Sequence, residues 1–107
     1  MAYAADLTGL FENTLVWNVT RPDGTQQTST FRYNPDGTVM ASQGDVSVEG
    51  TWAIKGDQSC ITVTEPDGTA ENLCSPLSNL DGAIPGSTWE FTMRDTILIK
   101  AELVSGR

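Results

Sequence analysis

The chain has 107 residues, enough for one domain with a thin margin for burying a core. Fourteen acidic residues against six basic ones give a net charge of −8, a surface that repels phosphates and argues against nucleic acid or anionic lipid as partners. Histidine is absent, which removes the commonest general base and metal ligand, and no stretch approaches the ~18 apolar residues that span a bilayer, so no membrane insertion is expected.

At the amino terminus, Ala2-Tyr3-Ala4 followed by Ala5 matches the small-residue tail of a signal-peptide cleavage site. Residues 1–4 read as a cleavage remnant or an added start, and residues 5–107 as a single β-barrel domain. Residues 5–12 lack period-2 alternation and are expected to form a short helical turn over an open end.

The tetrapeptide Pro-Asp-Gly-Thr then occurs three times, at 22–25, 35–38 and 66–69. Proline presets the first corner of a type I turn, aspartate suits the second, and glycine takes the left-handed position that follows. This is the three-residue hairpin loop with a bulge, and it sets register. The first turn places Leu15 opposite Phe31, Trp17 opposite Ser29 and Val19 opposite Gln27. The second places Phe31 opposite Ala41 and Tyr33 opposite Val39. Both put Leu15, Trp17, Val19, Phe31, Tyr33, Val39 and Ala41 on one face. The other face is mostly polar, with Val16, Arg32 and Met40 as an apolar-basic group. Two independent turns that agree on one apolar face indicate a half-buried antiparallel sheet. The next strand continues the alternation with Val46, Val48, Gly50, Trp52 and Ile54 on the inner face. Gly50 marks a bulge or bend there.

The third turn pairs Glu65 with Thr69, and by the same count Cys60 with Cys74 at a non-hydrogen-bonded position. Such pairs bring Cα atoms about 4.5 Å apart, within disulfide range. A Cys60–Cys74 disulfide is expected, and it implies an oxidising compartment. Ile61, Val63 and Leu73 fall on the core face, and the disulfide on the opposite face or the rim.

Residues 75–87 form a long loop carrying Leu77, Leu80 and Ile84, which reads as a flap plugging one end or as a functional lid. The last hairpin sets Trp89, Phe91 and Met93 against Ile97, Ile99, Ala101 and Leu103 around Arg94-Asp95-Thr96. The sum is an all-β, eight-stranded antiparallel up-and-down meander. Closure into a small barrel would remove its edges, and a two-sheet sandwich is the alternative.

No catalytic constellation, phosphate loop or metal-ligand cluster stands out, so no enzyme activity, metal or cofactor is expected. The inward aromatic set is the candidate ligand site: Trp17, Phe31, Tyr33, Trp52 and Trp89, with Ser29 as a small inward polar residue that leaves room.

The segments Asn13-Thr14-Leu15, Tyr33-Asn34-Pro35-Asp36-Gly37-Thr38, Gly50-Thr51-Trp52 and Gly56-Asp57, the two cysteines and Val104-Ser105-Gly106 together resemble small exported bacterial domains with a calycin-like (lipocalin-like) barrel. Many of these domains have no assigned function. The small-barrel metalloprotease inhibitors of bacteria are a second similar group, alike in size and single disulfide. The resemblance implies a calycin-like barrel in the periplasm or outside the cell. The leading expectation is a non-enzymatic module that binds a small apolar ligand at the barrel mouth near Trp17, Tyr33 and Trp52, gated by residues 75–87. The alternative is a protein-interaction or protease-inhibitor domain whose partner is an extracellular protein, met through the amino terminus, the long loop or the outer sheet face.

Overall fold

A computed structural model describes residues 6–64 and 67–107. The reading of residues 1–4, and Glu65 and Pro66 of the third turn, lie outside the described residues. A short helix, α1 (Thr8–Glu12), precedes eight strands: β1 (Thr14–Thr20), β2 (Gln26–Tyr33), β3 (Thr38–Gln43), β4 (Val46–Lys55), β5 (Gln58–Thr64), β6 (Ala70–Pro76), β7 (Thr88–Met93) and β8 (Ile97–Val104). All belong to one antiparallel sheet in the order β6-β5-β4-β3-β2-β1-β8-β7. The ends β6 and β7 lie beside each other without a shared ladder, so the sheet wraps into a nearly closed barrel. A single continuous sheet rules out the two-sheet sandwich. No helix among the described residues is long and apolar enough to cross a membrane.

Turn chemistry sets this register as expected. Leu15 faces Phe31, Trp17 faces Ser29, Phe31 faces Ala41 and Cys60 faces Cys74. In the first turn the Arg21 N–H donates to the Thr25 carbonyl and Gly24 N–H to the Arg21 carbonyl, both at 2.9 Å. Gly24 and Gly37 hold φ of 87° and 95°, which a Cβ would oppose. Aspartate supplies the remaining contacts. Asp23 Oδ1 accepts from the Thr25 N–H at 2.9 Å and from its hydroxyl at 2.7 Å, and Asp36 does the same with Thr38. The side chain thus mimics a backbone acceptor, which explains why the fourth residue of the motif is threonine. These hydrogen bonds hold the exposed Asp23 and Asp36 carboxyls below their ordinary range, the threonine hydroxyl contributing most.

The core lies inside the barrel. Leu15, Phe31, Tyr33, Val39, Ile61, Ile99 and Leu103 are essentially inaccessible to water. Each such side chain contributes roughly 1.5–3 kcal/mol by burial. Gly50 lies in unbroken register with both β3 and β5, so it marks a close approach and not a bulge. A Cβ there would sit 2.3 Å from the Thr62 carbonyl oxygen.

The Cys60–Cys74 disulfide is formed, with the Cα atoms 4.0 Å apart. It lies on the face opposite Ile61, Val63 and Leu73, as expected. Both cysteines have the outward parity, yet Cys60 is 3% exposed. Ala53 flanks it on one side and Cys74 on the other.

One end of the barrel is sealed by segments from distant parts of the chain. Leu7, just before α1, and Leu10 within it join Leu77, Leu80 and Ala83 in the core. The Gly82 N–H donates to the Asp6 carbonyl at 2.8 Å, and the Asp6 N–H to Asp81 Oδ1 at 2.7 Å, tying the two segments together. The expected plug is therefore present with two changes. Ser75 and Pro76 extend β6, and Ile84 is 66% exposed, its place taken by Ala83. The carboxyl terminus clasps the same end. Gly106 N–H donates to Asn13 Oδ1 at 2.9 Å and Thr14 Oγ1 to the Gly106 carbonyl at 2.8 Å. The Arg107 guanidinium donates to the carbonyls of Phe11 and Tyr33 and to Asn34 Oδ1.

Candidate ligand-binding cavity

The inner positions of β2 run Gln27, Ser29, Phe31, Tyr33, from polar and small to large and aromatic. On β3 they run Val39, Ala41, Gln43 in the opposite direction of the chain, so the small and polar members of both strands meet at one end. There the side chains cannot fill the cylinder. At the other end Phe11 and Tyr33 pack at an angle against Trp52, with ring centroids 5.7 and 5.8 Å away. The Trp52 indole N–H donates to the Asn34 carbonyl at 2.8 Å.

The result is a cavity of about 350 Å³ at the end opposite the plug. This lies within the usual range of small-molecule sites. Trp17, Phe31 and Ile99 line its inner part, and Val19, Val48, Val63 and Leu73 its sides. The Trp17 ring packs edge-on against Phe31 and Phe91, with centroids 4.7 and 5.4 Å away, so this part of the wall is held by its neighbours. Arg21, Arg94 and Glu71 stand at the mouth. Arg94 and Asp95 adopt φ of 52° and 60° in the β7–β8 turn, a left-handed pair ordinarily occupied by Asn-Gly.

Two buried polar atoms on lining residues have no hydrogen-bond partner: Trp17 Nε1 and Gln27 Oε1. Tyr33 Oη is buried in the sealed half, beside the Ser59 side chain. Burial pushes its phenol well above the ordinary tyrosine range, and the Ser59 side chain draws it part of the way back.

The six expected site residues thus divide. Trp17, Ser29 and Phe31 line the cavity. Tyr33 and Trp52 belong to the sealed end. Trp89 has the inward parity, opposite Ala101, and lies beside a shallow groove with Asn18, Glu90 and Lys100. Residues 75–87 close the far end of the barrel and do not reach the cavity mouth. Gln27 was the residue that attention to aromatics missed. The pairing of Val19 with Gln27 already marks it as an inward polar side chain.

No family model, no curated protein and no solved structure matches this chain.

Proposed function

We propose that this chain is a non-enzymatic binding module that takes a small, mainly apolar molecule into the open end of its barrel, and that it works in the periplasm or after secretion. The observation that carries the reading is the 350 Å³ cavity, apolar in its depth and carrying two unpartnered polar atoms in its wall. A filled core would have no such space. The disulfide supports the compartment, because structural disulfides persist where conditions are oxidising. Eight meandering strands around one cavity also support kinship with calycin-like domains.

The test uses N-phenyl-1-naphthylamine, a neutral probe that fluoresces in apolar surroundings. Ala41 is half-buried on the inner face and lines the cavity, so Ala41→Phe fills it from the wall. The probe is expected to bind the native chain, and Ala41→Phe to weaken binding by about tenfold or more while the protein stays folded. Absence of binding, or equal binding to the filled variant, refutes the proposal. The exposed Ile84 favours a second reading, a protein-contact surface on the 77–87 segment; Ile84→Asp would then abolish capture of a partner and leave probe binding intact.

A further inference from the structure

We infer that Trp17 is the floor of the cavity and sets the length of what it holds, so that the site takes a single alkyl chain of medium length. The inference rests on the cavity reading above and adds the chemical class of the ligand and the residue that selects it. The lining stops at a matching step on strand after strand. On β1 it includes Trp17 and not Leu15, on β2 Phe31 and not Tyr33, and on β8 Ile99 and not Ala101. These last residues are themselves buried, with Trp17 and Phe31 2% exposed and Ile99 1%. Val19, Ser29 and Ile97, one inward position nearer the mouth, are half-buried. Open wall therefore gives way to packed core at one depth.

Trp17 is the largest side chain at that depth. Its ring packs against Phe31 at 4.7 Å and against Phe91 at 5.4 Å. Phe31 stands on the neighbouring strand β2, whereas Phe91 stands on β7, two strands away on the other side. Strands two apart are separated by about 10 Å, so the Trp17 and Phe91 rings together reach across the inner face of β8. A side chain held by close packing on both sides does not swing aside cheaply for a longer ligand.

The strand register gives the depth. From Trp17 to Arg21 at the mouth run four residues, which at about 3.3 Å each and a strand tilt of roughly 40° make a shaft about 10 Å deep. Spread over that depth, 350 Å³ leaves a section of about 35 Å², room for one chain. An extended alkyl chain advances about 1.3 Å per carbon, so about eight carbons fill the shaft and further ones stay outside the mouth in water.

The experiment displaces N-phenyl-1-naphthylamine from the full chain with the straight-chain 1-alkanols from butanol to dodecanol. In the native protein, affinity is expected to rise about fourfold per methylene as far as octanol and then to level off. Trp17→Ala opens the floor and should move the break by about two carbons or more, to decanol or beyond. Trp17→Leu repeats the test should the alanine variant fail to fold. Trp52→Leu shortens a tryptophan of the sealed end by the same amount and should leave the break at octanol. Affinity that keeps rising to dodecanol in the native protein overturns the inference. So does a break that stays at octanol in a folded Trp17 variant, or one that Trp52→Leu moves as far. Those results leave the cavity reading standing, because the probe is still bound and displaced. Failure of the probe and of every alkanol to bind would remove the cavity reading itself, and this inference with it.

Discussion

Replacing Gly50 by alanine isolates the close approach of β4 to β5. At an unstrained site, glycine to alanine stabilises by about 0.4–1 kcal/mol, because the unfolded chain loses freedom. Here the added Cβ would lie 2.3 Å from the Thr62 carbonyl oxygen and 2.9 Å from Val63 Cγ1. A carbon atom approaches an oxygen no closer than about 3.3 Å without penalty, so β4 and β5 must separate by about 1 Å. Ladder bonds of about 2.9 Å would then stretch beyond hydrogen-bonding range. Overpacking together with weakened ladder bonds costs roughly 1–3 kcal/mol. The entropic gain offsets only part of this, leaving a net loss of about 1 kcal/mol and a fall in melting temperature of roughly 6 °C. Urea and thermal unfolding measure it, with an unchanged denaturant slope showing that the fold is kept. A melting temperature equal to or above that of the native protein would refute the close-approach argument.

Three further outcomes follow from the same structure. Cys60→Ala combined with Cys74→Ala opens a loop of sequence separation 14, and the chain-entropy model gives a loss of about 3 kcal/mol in urea unfolding. A loss below about 1 kcal/mol would mean that the link does not constrain the unfolded chain. Asp23, Asp36 and Asp67 have lowered carboxyl pKa values, so their contribution is present above the unfolded carboxyl pKa of about 4 and disappears as pH falls through the folded values. The triple alanine variant should therefore melt below the native protein at neutral pH, and the two melting curves should converge in acid. Arg94→Asn with Asp95→Gly relieves the left-handed pair and is expected to stabilise by about 1 kcal/mol in the same assay, whereas a destabilisation would mean that those side chains hold the turn.

Several features of this protein are legible in its sequence because their causes are local. The proline-aspartate-glycine-threonine turns constrain four residues at a time through proline's ring, the aspartate acceptor and the left-handed glycine. From them follow strand pairing, the inward face and the juxtaposition of Cys60 with Cys74. The motifs around Asn13 and Gly106 were visible as words. Only the structure shows them bonded to each other across 93 residues of chain.

What tertiary structure decided is which end of the barrel is sealed and which is open. The aromatic residues read as one site separate into a cavity wall around Trp17 and a sealed end around Tyr33 and Trp52. The plug takes Ala83 and not Ile84, because Gly82 and Asp81 are tied to Asp6 and set the path of the loop. Alternation assigns a side chain to the inside of the sheet, but not to a height along the barrel. Empty space depends on the volumes that converge at one level from several strands, and strand-by-strand periodicity carries no record of that sum. The alternating pattern thus determined the wall, and the packing of α1, the 77–83 segment and the carboxyl terminus against one rim determined where a ligand has room.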